Sequence, residues 1–224
     1  MIPAPSSTSE PVIAAPPGAA IGTEPDVFTE IYQEHTNIAI LQRDLSAEIA
    51  TAATNLLSSK ASSSNALIAT PDNAIDVLSD EFGISDTALA LFQDVADLVD
   101  MFCCLLGTEQ AGIRLTKIDR AMCPRFHVDK VPCRLVTTYF GPGSEWVEHK
   151  NVNREKLGAG NGGLPDEESG LLTDLNHIQK LNGGDAALLK GERWIGNEGS
   201  GLVHRSPKVP QHTQRLLLTL DMVQ

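Results

Sequence analysis

The fold is decided by residues 123–146, "CPRFHVDKVPCRLVTTYFGPGSEW". The second half is rich in β-forming residues and closes in a Gly-Pro-Gly turn; the first half carries His127 and Asp129 two positions apart. Side chains alternate along an extended chain, so the two point the same way. One imidazole nitrogen and one carboxylate oxygen can then reach a single cation. "GLVHRSP" at 201–207 supplies a third ligand, His204, at the end of another β-prone run and 75 residues after Asp129. Two histidines and one carboxylate leave coordination positions open, which suits a non-haem Fe(II) that must also take a cosubstrate and O2. Eleven residues beyond His204 stands Arg215, in "QHTQRLLLTLD". It opens a strand that the spacing sets antiparallel beside the one bearing His204, and its guanidinium can fork two hydrogen bonds onto a carboxylate.

Outward from this centre, "AGIRLTKI", "CRLVTTYF", "DAALLK", "SGLVHR" and "QRLLLTLDMV" are short β-prone runs separated by Gly and Pro turns. Residues 156–171 are polar and glycine-rich and predict a long loop, a candidate lid. Before Gly107 the texture is helical. Ile38, Leu41, Leu45, Ile49, Ala52 and Leu56 predict a helix over about 36–58. Thr70 and Pro71 open a second, and Ser85 caps a third with Leu91, Phe92, Val95, Leu98, Val99 and Phe102 on its apolar face. Residues 1–25, rich in Pro, Ala and Ser, are expected as a disordered tail. Residues 26–224 then form one α+β domain: a helical part over 26–107 and a β-part over 108–224.

The net charge is −12, from 17 basic and 29 acidic residues without a basic cluster, which argues against nucleic acid as a partner. No run of 18 apolar residues exists, so no membrane partner is expected, and the four scattered cysteines fit reduced thiols in a cytoplasmic protein.

The order "H-V-D…RLVTTYFGPGSEW…GDAALLKGE…GLVHRSP…QRLLLTLD" resembles the 2-oxoglutarate/Fe(II)-dependent oxygenases, particularly their prolyl-hydroxylase-like branch. That resemblance implies a double-stranded β-helix (jelly-roll, cupin-like) with the N-terminal helices packed on its major sheet. It implies iron held by His127, Asp129 and His204, with 2-oxoglutarate as cosubstrate on Arg215. Tyr139 and Thr137 would add hydrogen bonds to the cosubstrate, and an unknown small molecule or protein side chain would be hydroxylated. Phrases such as "CPRFHVD" and "GPGSEW" also resemble an uncharacterised bacterial family known as domain of unknown function 1826.

Alternatives remain open. Arg134, Arg205 and Lys190 compete with Arg215 for the carboxylate. Cys123 could add a thiolate and favour zinc, giving a non-catalytic metal-binding β-helix for zinc handling or sensing. An interaction protein whose helices dock partners would need no metal. Trp146 and Trp194 are candidates for the pocket mouth, although large aromatics commonly just pack.

Overall fold

The computed structural model describes residues 18–61, 66–83 and 85–223. The strands are β1 (Gly18–Gly22), β2 (Thr36–Leu41), β3 (Leu67–Ala69), β4 (Ala111–Ile118), β5 (Cys133–Phe140), β6 (Glu145–Val147), β7 (Gln179–Lys180), β8 (Ala186–Lys190), β9 (Val203–Arg205) and β10 (Arg215–Met222). The α-helices are α1 (Ala47–Ser58), α2 (Ala74–Phe82) and α3 (Asp86–Leu106). Seven strands form one sheet in the order β1-β2-β8-β5-β10-β4-β3, and three form a small sheet in the order β7-β6-β9.

The β-prone runs after Gly107 become strands close to where the sequence sets them. The earlier half differs. Residues 36–41 belong to β2 rather than to a helix, and α1 begins only at Ala47, after Ser46 accepts a hydrogen bond from the Ile49 amide. The physical reason is burial on both faces. "TNIAIL" lies between β1 and β8 with every residue buried, and a doubly buried strand reads as a continuous apolar run without a period of two. The part expected to be helical therefore contributes β2 and β3 to the large sheet. β1 lies within the stretch expected as a tail, its residues 18–22 pairing in parallel with β2. The rest of that expectation, residues 1–17, lies outside the described residues.

Alternation divides the large sheet into two chemistries. Leu135 and Tyr139 of β5 and Leu216, Leu218 and Leu220 of β10 join Phe92, Leu98 and Phe102 of α3 in the main core. Each such apolar side chain contributes roughly 1.5–3 kcal/mol by leaving water. Val136, on the opposite face of β5, packs instead with Trp146 of β6 in a second core between the two sheets.

One polar knot fastens helix to sheet. Asp94 of α3 accepts two hydrogen bonds from Arg43, at 2.5 and 3.0 Å, and one from the Tyr139 hydroxyl at 2.5 Å. Arg43 in turn donates to the Gly184 carbonyl at 2.9 Å, tying the turn before β8 into the same knot. Gly184 has φ +91° there, a conformation that a side chain would strain. Asp94→Ala should destabilise the protein by about 3 kcal/mol, near the lower end for breaking a buried pair because Arg43 keeps some contact with water. Urea unfolding of the variant checks this; a change within experimental error would show that the knot is dispensable.

Candidate functional site

His127 lies outside the regular strands, in an isolated antiparallel bridge with His204 of β9. The two residues exchange both backbone hydrogen bonds, each at 3.0 Å, so their side chains leave the backbone on the same side. The imidazole centroids are 4.6 Å apart. Asp129 reaches them from a turn rather than a strand, held where the Glu192 amide donates to its carbonyl at 2.9 Å. The structure thus brings His127, Asp129 and His204 together, with one ligand atom of each within 4.8 Å of the others.

The hydrogen bonds fix what these groups offer. His127 Nδ1 sits 2.9 Å from the Arg125 carbonyl and His204 Nδ1 sits 3.2 Å from the Leu202 carbonyl. A carbonyl can only accept, so each Nδ1 carries the proton and each Nε2 presents a lone pair. Those Nε2 atoms face the Asp129 carboxylate, at 3.7 Å from Oδ1 for His127 and 3.4 Å from Oδ2 for His204. Burial, then the neighbouring His204, lower the His127 pKa below its usual 6.5, which favours the neutral ring. Burial alone would raise the Asp129 pKa, but His204, Arg134 and His127 outweigh it and bring it down to about 2. Two lone pairs and an anion converging on one point are mutually repulsive unless a cation lies between them. The donor set fits a divalent metal with open positions.

Behind Asp129 stands a second layer. Arg134 donates to Asp129 Oδ2 at 2.8 Å and forks onto Asp221 at 2.7 and 3.0 Å. Asp221 also accepts from Arg114 at 2.7 Å. Arg134 and Asp221 are direct partners on β5 and β10, so the sheet register itself aims the guanidinium. The sequence singled out Arg134 as a rival carboxylate binder and gave Asp221 no role. Their pairing across some 87 positions had no local signal.

Arg215 stands apart from the other candidate cations. It is 1% exposed and donates through Nη2 to the Thr138 and Ser144 hydroxyls, both at 2.9 Å, while its Nε is buried without a partner. Among the described residues it has no ion pair. Burial pushes its pKa from 12.5 down to about 10, a penalty on the charged form of about 3 kcal/mol. Arg205 is occupied by Glu145 and Glu167, at 2.8 and 2.9 Å. Lys190 points into the helix side, where it donates to the Gln33 carbonyl and lies over Trp194. The strand bearing Arg215 does not adjoin β9, as the spacing suggested. β10 sits between β5 and β4 in the large sheet, and Arg215 reaches the small sheet through Ser144 at its edge. The turn 141–144 makes this possible: Gly141 has φ +86°, and a Cβ there would come 2.7 Å from the Gln214 carbonyl oxygen.

Tyr139 and Thr137 are not brought to the triad. Tyr139 is spent on Asp94, and the Thr137 hydroxyl lies 3.4 Å from the Gly184 carbonyl. Both sit on the helix-facing side of β5, whereas Thr138, one residue over, contacts Arg215. Cys123 lines the pocket but contributes no atom to the ligand group found among the described residues. Trp146 packs between the sheets, and Trp194 lies against Tyr32 on the far side. The 156–171 loop is fastened down: Asp166 accepts the Phe126 amide at 2.7 Å, and Arg125 donates to the Leu164 carbonyl at 2.7 Å. A pocket of about 240 Å³ opens beside the triad, with His127, His204 and Ser144 in its wall.

The family model described as "Protein of unknown function (DUF1826)" matches residues 22–221. The chain belongs to that family. No protein of curated function matches it by sequence. Among solved structures, it is similar to the dioxygenase for auxin oxidation 1 from Arabidopsis thaliana, described as a 2-oxoglutarate binary complex. There the TM-score is 0.52 at 11% identity, over 93% of this chain and 92% of that one. It is also similar to the rice dioxygenase for auxin oxidation, with TM-score 0.51 at 10% identity, over 93% and 83% of the two chains. At such identities the likeness is one of fold: a mixed α/β chain built on a large sheet.

Arg215→Met should raise the stability of the ligand-free protein by about 1–3 kcal/mol, since it removes a buried charge that no anion offsets. Thermal unfolding near neutral pH checks this. The sign follows from the lowered pKa: the penalty is present in full below pH 10 and fades as the guanidinium deprotonates above it. A destabilised variant would mean that the two hydroxyl contacts outweigh the desolvation.

Proposed function

We propose that the protein is an Fe(II)/2-oxoglutarate-dependent oxygenase acting on a small molecule or a protein side chain. The two sheets are the major and minor sheets of a double-stranded β-helix, with the helices backing the major one. The observation that carries this reading is Arg215, a buried cation without a counter-ion among the described residues. Its neighbour Ser144 lines the same pocket as His127 and His204.

In this reading His127, Asp129 and His204 hold the metal through Nε2, a carboxylate oxygen and Nε2. Arg134 engages Asp129 Oδ2 and restrains the carboxylate, as partners of metal ligands commonly do. Arg215, with the Thr138 and Ser144 hydroxyls, takes the distal carboxylate of 2-oxoglutarate; its free Nε supplies a further donor and the anion relieves the desolvated charge. Val136 and Leu217 give the pocket an apolar floor that limits water near the reacting atoms. A bound ferrous ion would supply the redox chemistry that couples oxidative decarboxylation of the oxo-acid to hydroxylation of a substrate C–H bond.

Metal-stripped protein given Fe(II) and then 2-oxoglutarate without oxygen should develop a weak visible band that requires both. Ala at His127, Asp129 or His204 should abolish metal binding. Arg215→Met should keep metal affinity and lose cosubstrate affinity by at least a hundredfold. Asp221→Asn, which touches no ligand directly, should weaken metal binding about 10- to 100-fold. No band from the unaltered protein, or equal cosubstrate affinity in the Arg215 variant, would overturn the reading.

A further inference from the structure

The pocket wall is opposite in sign to the chain that carries it. The protein has net charge −12, yet among the described residues the charged side chains lining the pocket are Arg114, Arg134 and Arg205, without an aspartate or glutamate. These arginines are not equivalent. Arg205 is matched by Glu145, Glu167 and Asp166, and Arg134 by Asp129 and Asp221. Arg114 shares Asp221, which already accepts two bonds from Arg134, and reaches it through Nη1 alone. Its side chain is 47% exposed. It is the most exposed of the three and the one with the fewest acidic partners.

Its surroundings complete an anion-binding corner. Thr219 lies directly opposite Arg114 on β10, and Thr116 lies two residues along β4; both hydroxyl-bearing residues line the pocket. Leu217, paired with Thr116, adds an apolar surface beside them.

This corner is separate from the Arg215 clamp. Arg114 is level with Thr219, four residues along β10 from Arg215, a backbone separation of about 14 Å at ~3.4 Å per residue. Arg114 leans toward Asp221, beyond Thr219, whereas Arg215 donates to Thr138, which lies opposite Leu217, and to Ser144. In the oxygenase reading the distal carboxylate of 2-oxoglutarate is taken by Arg215 and its other end by the metal, so a carboxylate on Arg114 belongs to a second molecule.

We propose that the substrate bears a carboxylate and that Arg114, with Thr219 and Thr116, holds it at the outer wall of the pocket. This rests on the oxygenase reading and adds the substrate class to it. The acidic chain then repels anions at long range, where salt screens the effect, and accepts them only where the exposed Arg114 guanidinium offers free donors.

The test uses full-length protein loaded anaerobically with Fe(II) and saturating 2-oxoglutarate, so that Arg215 is occupied. Matched probes, hexanoate against hexanamide and benzoate against benzamide, are titrated by saturation-transfer NMR and by their perturbation of the visible band. Each acid should bind at least tenfold more tightly than its amide. Arg114→Gln should erase that preference, and Arg114→Lys, which keeps the charge, should restore part of it. Equal binding of acid and amide, no detectable binding of either acid, or a preference that survives Arg114→Gln would overturn the proposal. Iron and 2-oxoglutarate affinities of the unaltered protein separate the failures: without them the oxygenase reading itself falls, and with them only the anionic substrate does.

Discussion

Everything in the site depends on β10 being paired on both edges. Hydrogen-bonded to β4 and β5, it has its alternation locked, because a slip of one residue would send every side chain to the other face. Leu216, Leu218 and Leu220 are committed to the helices. Arg215, Leu217, Thr219 and Asp221 are thereby committed to the other side. The same strand delivers a buried cation at its start and, near its end, the carboxylate that steadies Asp129 through Arg134. Apolar burial of about 1.5–3 kcal/mol per leucine on one face holds in place the costly polar groups on the other.

The electrostatics form a graded series. Arg43 has a bidentate acid, Arg134 two acids and Arg205 three. Among the described residues Arg215 has only hydroxyls, and its buried Nε has nothing. A chain with 29 acidic residues does not lack anions to pair with a buried guanidinium. Leaving this one unmatched costs stability, and such costs tend to collect where a ligand relieves them.

Much of this was legible in the sequence. Of the strands after Gly107, the short β6 and β7 were not, whereas β4, β5, β8, β9 and β10 were, because their β-prone runs are bounded by Gly and Pro. So was the α3 face, because its period is clean over 21 residues. The triad residues could be named from type and order alone. Three further things could not be read. β2 was hidden because burial on both faces erases alternation, and its apolar residues happen to continue the spacing of α1. The facing of Thr137 and Tyr139 against Thr138 depends on a parity that no local feature announces, and the register shift between Leu216 and Leu217 perturbs it. The place of β10 between β4 and β5, rather than beside β9, is a matter of long-range topology.

That topology also sets an order of events during folding. β10 is central in the sheet, yet it follows all its sheet neighbours in the chain. Until it arrives, β4 and β5 present two open edges with no strand between them, and edges of this kind readily pair with other chains. Closing the gap requires contacts across 76–87 residues from β5 and 97–111 from β4, the non-local pairing that slows folding. A nascent chain stalled before residue 215 would hold all three triad residues but lack the strand that carries Asp221. Such a chain is a natural client for chaperones.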